Sequence, residues 1–371
     1  MKARVLFVAR TRYRLPLDGS LQRKWDALRD VFDVRVLAAA ERGSPTGDGT
    51  FTLARPLRPK ALDGPFFYLG LSLRVARELR SASTAAILCQ SPYEALAAAA
   101  GRALARSDAK LVVEIHGDWR TFTRLYGSGL RRLLTRGADL LAERAVLRAD
   151  AVRSVSPYTS GLVRALGREP DAEFAAYMDL EKFLRPQTPL PDRQQALFVG
   201  VLERYKNLDG LVEAWRAAAP RVPGARLWLV GDGALRPLVE ELVAELPEQT
   251  AWSSRLTTRE VASALDGSSF LVLPSRSEGM GRVIVEAFCR GRPVLGSAVG
   301  GIVDLVRDGE NGLLAEPVPE RIADALVRLF EDEALLARLA AGARASADAL
   351  VVTPTEFAGQ MAALVERVDR T

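Results

Sequence analysis

Metal-ligating and redox-active residues are nearly missing from this chain. Among 371 residues there are two cysteines, Cys89 and Cys289, and one histidine, His116. Two thiols and one imidazole, far apart in sequence, do not make a metal cluster, so none is expected. Both cysteines lie in apolar stretches and read as buried free thiols of a reducing compartment. Long apolar runs are missing too: none approaches the roughly 20 uncharged residues of a membrane span. The first apolar strand, about seven residues long, is too short for the h-region and cleavage site of a signal peptide. The expectation is a cytoplasmic protein, attached to a membrane at most peripherally. No low-complexity tail is present. No aromatic-lined basic strand or recognition-helix motif is present either, so nucleic acid is not an expected partner.

What is present is enough apolar residue for two cores. At 48% hydrophobic and 371 residues, the chain exceeds one typical domain. Its charge is uneven: residues 1–190 hold 31 Lys and Arg against 20 Asp and Glu, a balance of +11, while the remainder carries −6. The basic half suits an anionic partner such as a phosphorylated acceptor or a membrane surface.

The chain is organised around the stretch from Ser275 to Glu286. The apolar run Phe270-Leu271-Val272-Leu273 before it reads as a buried parallel strand. Val283, Ile284, Val285, Ala287 and Phe288 read as a mostly buried helix after it. The turn between them holds Gly279, Met280 and Gly281. It faces backbone N–H groups and the positive end of the helix dipole outward, which favours a phosphate or another anion. Glu278 is too close to an anion site to serve the anion itself and suits sugar hydroxyls beside it. Glu286, eight residues on, is a little over two helical turns away and could take a second group of the same ligand, such as ribose hydroxyls.

The context Pro274-Ser275-x-x-Glu278-Gly279-x-Gly281, then Glu286-Ala287 and Gly291-Arg292-Pro293-Val294, resembles the E-x7-E signature of retaining, nucleotide-sugar-dependent glycosyltransferases of the GT-B fold, family 4 type. The resemblance covers nearly the whole chain and is strongest from Gly200 to Leu314. It implies an α/β protein with two Rossmann-like, doubly wound domains facing a cleft. The donor would sit mostly on the C-terminal domain and the acceptor on the basic N-terminal one. Carried over by position, the catalytic set is Glu278, His116 and Lys206. His116 follows the predicted strand Leu111–Ile115, where the family's histidine touches the transferred sugar. Lys206 ends a Gly200-x-Leu202-x-x-x-Lys206 pattern whose basic residues hold the donor diphosphate. Val201 stands where that pattern has Arg, and Arg204 is the nearby candidate to replace it. The remaining donor contacts implied are Gly19 in the first loop, Leu256 at the end of the loop Trp252–Leu256 under the base, Gly279, Met280, Gly281 and Glu286. No metal or cofactor is implied; the nucleoside-diphosphate sugar is a co-substrate.

The strand–helix alternation restarts at Gln195. The expected division is an N-terminal domain at 1–185, a Pro-rich linker at 186–192, a C-terminal domain at 193–352, and a final helix at 353–371 that in the family packs back on the first domain. Residues 10–19 read as a loop, and 41–65, with four Pro and four Gly, as irregular. Loops at 10–20, 41–65 and 119–130 would face an acceptor glycan, lipid-linked or small-molecule, that the sequence does not name. Residues 120–148 are basic and amphipathic: Arg120, Arg124, Arg131, Arg132, Arg136, Arg144 and Arg148 alternate with Leu125, Leu130, Leu133, Leu134, Leu140 and Leu141. They read as a core helix with a solvated arginine face, or as a helix lying on an anionic membrane. The rival reading is a non-catalytic nucleotide-sugar binder or partner subunit of the same fold. Val201 and the thin first glycine loop favour it; Glu278, Glu286, Lys206 and His116 speak against it.

Overall fold

The computed structural model describes residues 2–57, 60–121 and 129–370. The chain divides into two compact units, Met1–Tyr177 with Val352–Thr371, and Met178–Val351. The first holds strands β1 (Ala3–Tyr13), β2 (Phe32–Ala40), β3 (Phe51–Ala54), β4 (Ala86–Cys89), β5 (Lys110–Ile115), β6 (Ala151–Ser154) and β7 (Ala172–Glu173). They form one parallel sheet in the order β3-β2-β1-β4-β5-β6-β7. The second holds β8 (Gln195–Val199), β9 (Arg226–Val230), β10 (Thr250–Ser253), β11 (Phe270–Leu273), β12 (Val294–Ser297) and β13 (Gly312–Ala315), parallel in the order β10-β9-β8-β11-β12-β13. Both units are Rossmann-like. The strand order reverses between β1 and β4 and between β8 and β11, so each sheet opens a crevice there, at the carboxyl ends of its strands.

Side-chain alternation along the strands sends residues to two cores per sheet. Leu6 and Val8 join the cluster under helices Lys60–Ser81, Pro92–Ala105 and Gly129–Arg148. Val5 and Phe7 join the one under helices Gly19–Val31 and Pro354–Asp369. Phe198 of β8 packs under helices Leu208–Ala218 and Pro319–Glu331, and Leu197 against Arg282–Cys289. Sheets covered on both faces explain why these strands read as continuous apolar runs. Helix starts carry their own signals. Ser156–Thr159, Thr257–Glu260 and Thr353–Glu356 are capping boxes, and loss of such a cap costs about 1 kcal/mol.

Several expectations are revised. β1 continues through Arg10 and Arg12 to Tyr13 rather than ending in a loop at Arg10. The 41–65 region contains β3 and the start of a helix at Lys60. Burial of Phe67, Leu71, Val75 and Leu79 holds that helix together despite Gly64 and Pro65 in its first turns. Trp252 and Ser253 are the end of β10, not loop. The chain crosses between units at Tyr177/Met178, where the sequence placed the boundary after residue 185. The reason lies in the Arg290-Gly291-Arg292-Pro293 segment. The buried Arg290 guanidinium donates to the carbonyls of Phe183, Arg185 and Pro186, and Arg292 to those of Thr188 and Pro189, at 2.8–3.2 Å. Met178, Leu180 and Phe183 fill the same core. The Pro-rich stretch is thus strapped to the second unit. Arg124 and Leu125 lie outside the described residues, as do the side chains of Leu130, Arg131, Arg132, Leu133 and Leu134.

Candidate active site

Four loops meet at the switch point of the second sheet. After β9, Gly231 adopts φ +146°, and a Cβ there would lie 1.8 Å from the Gly200 carbonyl oxygen. Only glycine lets the loops after β8 and β9 approach this closely. The Leu202 amide donates to Asp232 at 3.0 Å and Leu235 donates to Leu202 at 2.9 Å, locking the pair. The loop after β8 ends in a short 3-10 turn, Arg204–Lys206. Arg276, from the loop after β11, holds that turn in place. Its Nη1 donates to the Arg204 carbonyl at 3.0 Å, its amide donates to Tyr205 at 2.8 Å, and its guanidinium pairs bidentately with Asp209 at 2.9 Å.

This stitching brings Lys206 and Glu278 together. The Lys206 ammonium donates directly to the Glu278 carboxylate, with 12% and 17% of the two side chains exposed. Behind Glu278 the helix Arg282–Cys289 begins. Gly281 is its N-cap, in left-handed conformation (φ 68°, ψ 54°), and no side chain caps it. The amide-rich, positive end of the helix therefore lies beside an ion pair that a ligand can divide. The loop after β12 supports the turn: the Gly301 amide donates to the Glu278 carbonyl at 2.8 Å. Glu286, on the helix, is buried, and Arg282 donates to it at 2.9 Å. Burial pushes its carboxyl above the ordinary range, with Arg282 pulling it back. Met280 and Leu256 are half-buried and pack on one core cluster of this unit. The Arg204 side chain is exposed. So is Val201, at 46%.

In the first unit, the corresponding edge carries an open cavity of about 370 Å³ lined by the polar residues Arg10, Thr11, Gln90, Ser91, Glu94 and His116. Thr11 at the end of β1 donates to Gln90 after β4 at 2.9 Å, and Arg10 pairs with Asp63 at 3.5 Å. His116, just past β5, is partly exposed and its Nε2 lies 3.3 Å from Glu114. Gly19 opens the first helix, capped by the Asp18 carboxylate, which accepts from the Leu21 amide. The expected residues therefore fall into two groups: Gly19 and His116 in the first unit, the rest in the second. Sequence reasoning missed the Arg276–Asp209 clamp, the Gly301 support and the Glu114 contact. Gly301 carried a signal, as half of the Gly300-Gly301 pair; Asp209 and Glu114 carried none. Cys89 and Cys289 are buried and free, and burial raises both thiols, Cys289 to about 11.

Two Rossmann-like units, each with a parallel sheet open at its switch point, are the parts of a GT-B protein. Residues 181–346 match the family of glycosyl transferases group 1, and residues 20–174 match the glycosyl transferase 4-like domain. The chain belongs to the GT-B glycosyltransferases of the family 4 type. It is 29% identical to the alpha-D-kanosaminyltransferase of Streptomyces kanamyceticus over 251 residues, 63% of this chain and 64% of that protein. The first curated relatives are matched over 40 to 64% of their own length. Among solved structures, sucrose-phosphate synthase from Thermosynechococcus elongatus superposes with a TM-score of 0.80 at 21% identity, covering 98% of this chain and 99% of that one. Anabaena HepE, solved in complex with UDP, does so with 0.71 at 18% identity over 98% and 100%. At such identity the likeness is one of fold.

Proposed function

We propose that the protein is a retaining glycosyltransferase that moves a sugar from a nucleoside-diphosphate sugar to an acceptor hydroxyl, without a metal ion. The observation that carries this reading is the meeting of Lys206 and Glu278 beside the uncapped helix start at Gly281. The donor divides that pair. Its diphosphate takes the Lys206 ammonium and the amides of Gly279, Met280 and Gly281, and its sugar hydroxyls take Glu278. As the bond from the anomeric carbon to the diphosphate breaks, negative charge grows on the leaving phosphate, where lysine and oriented amides are most effective. The phosphate oxygen accepts the proton of the acceptor hydroxyl on the same face, so the new bond replaces the old one with configuration kept. Glu278 orients the sugar and does not attack. Glu286 takes ribose hydroxyls, Leu256 lies under the base, and Arg204 supplements Lys206 where Val201 leaves a contact unfilled. Gly19 and His116 serve from the first unit, His116 against the transferred sugar. The UDP complex of HepE supports a nucleoside diphosphate as the ligand class.

The test is thermal shift with UDP-, GDP-, ADP- and dTDP-sugars. A ligand at about a hundred times its Kd adds roughly 2.7 kcal/mol, a rise of about 5–10 °C for a domain of this size. One nucleotide is expected to give that rise in the wild type and little of it in Lys206→Ala. No rise with any of them would favour the non-catalytic reading, with Val201 as its cause.

The acceptor, a glycan, a lipid-linked sugar or a small molecule, is assigned to the basic first unit. The protein is assigned to the cytoplasm, in peripheral contact with an anionic membrane. No helix among the described residues is long and apolar enough to cross a membrane. Helix Gly129–Arg148 instead exposes Leu140, Leu141 and Leu147 beside the exposed Arg136, Arg144 and Arg148. Helix Lys60–Ser81 exposes Phe66, Leu69 and Leu73 along one side, Leu69 by 70%. Apolar side chains rimmed by arginine suit an anionic interface. The protein is expected to sediment with vesicles containing anionic lipid at low salt and to release at high salt. Failure to sediment with such vesicles at low salt would retire the membrane assignment.

A further inference from the structure

Buried charge needs a reason, and the first unit holds a cluster that no step above uses. Glu114 lies on β5 two residues before His116, so the two side chains leave the same face of the sheet. Its Oε1 accepts from Arg153 Nη1 at 2.6 Å, and its Oε2 lies 3.3 Å from His116 Nε2. Arg153 is only 1% exposed. Its Nη2 donates to the carbonyls of Phe174 and Ala175 at 3.0 and 2.9 Å. Its guanidinium lies 4.0 Å from the centre of the Phe174 ring and 5.5 Å from that of Phe357. One guanidinium thus anchors the chain just before it leaves this unit at Tyr177 and just after it returns at Val352. Lys24, half-buried on the first helix, and the buried Tyr13 also face Glu114. Burial alone would push the Glu114 carboxyl up, but Arg153, His116 and Lys24 outweigh it and hold it at about 2.

For packing alone this arrangement is a poor choice. A buried ion pair replaced by apolar residues of the same volume is often as stable or more so. What an apolar set could not provide is an acceptor for the histidine ring. One Glu114 oxygen is occupied by Arg153, which leaves the other for His116. An ionised carboxylate has no proton to give, so the ring nitrogen facing it must carry one.

We propose that Glu114, clamped by Arg153, is a positioning residue that fixes His116 in the Nε2–H tautomer and leaves Nδ1 for a ligand in the cavity lined by Arg10, Thr11, Gln90, Ser91 and Glu94. Its bearing on catalysis rests on the reading of His116 as a contact to the transferred sugar; the tautomer itself does not. Because the chain has one histidine, ring-15N labelling gives the signal of this imidazole alone, and long-range 1H–15N spectra at alkaline pH show which nitrogen carries the proton. The wild type is expected to show Nε2–H. In Glu114→Gln the amide oxygen must accept from Arg153, so the amide NH2 faces His116 and donates to it. The ring is then expected to switch to Nδ1–H. An Nδ1–H or mixed wild type overturns the proposal, and that measurement stands even if the variant does not fold. A folded Glu114→Gln with the wild-type tautomer overturns it as well. Transfer by His116→Ala at the full wild-type rate would remove the histidine from the reaction while leaving the tautomer result untouched, so the two failures are distinguishable.

Discussion

Glu278→Gln is expected to lower the rate of sugar transfer by about 10²–10³-fold, the scale of losing one well-placed group that acts on the transition state. The melting temperature is expected to stay within about 2 °C, since the substitution keeps the side chain's shape at a partly open site. Binding of the nucleoside diphosphate should behave differently. In the wild type the Glu278 carboxylate occupies the Lys206 ammonium. The amide releases it, so affinity for the diphosphate alone should hold or rise while transfer falls. A reduced transition-state contribution with ground-state phosphate binding intact is the signature of a group that acts on the sugar. Initial rates with the cognate donor, together with calorimetry of the nucleoside diphosphate, measure both halves. An unchanged transfer rate would remove Glu278 from the reaction.

Gly301→Ala is expected to weaken nucleoside-diphosphate binding at least about tenfold, or roughly 1.4 kcal/mol, and to lower the melting temperature. A Cβ at Gly301 would stand 2.1 Å from the Gly279 carbonyl oxygen and 2.6 Å from its carbon. Backbone cannot be so close, so one loop must move, and such overpacking costs about 1–3 kcal/mol. The loop that moves carries the amides of the turn, because the Gly301 amide is bonded to the Glu278 carbonyl. The substitution adds one methyl and changes no charge, so it tests turn geometry apart from electrostatics. Calorimetric affinity equal to wild type would mean that the turn does not hold the phosphates.

Local chemistry carried much of the element map. The start of helix Pro92–Ala105 was legible because Pro92 occupies its first turn, behind the Ser91 cap. Helix Leu208–Ala218 starts where its apolar periodicity starts, and β11 coincides with the run Phe270–Leu273. The failures have physical causes. The end of β1 was hidden because Arg10, Thr11 and Arg12 are polar, as suits side chains that meet Gln90, Asp63 and a cavity instead of a core. The start of helix Lys60–Ser81 was hidden because Gly64 and Pro65 argue against a helix that tertiary burial nevertheless holds.

By itself the sequence determined the class: two α/β units, the glycine-bearing turn after β11, and the residue types gathered around it. These are set by apolar runs, caps and motif spacing, all of which act over a few neighbouring residues. Only the tertiary structure decided the partners. Lys206 reaches Glu278 across 72 positions, Arg276 reaches Asp209 across 67, and Arg153 reaches Glu114 across 39. Each pair depends on how parallel strands lie beside one another, and strand order leaves no trace in local sequence. The crossing point shows the same division. Prolines at 186–191 read as a linker, yet the buried Arg290 and Arg292 strap that stretch to the second unit. Proline content is local, whereas the carbonyls a distant guanidinium will find are settled only when the chain has folded.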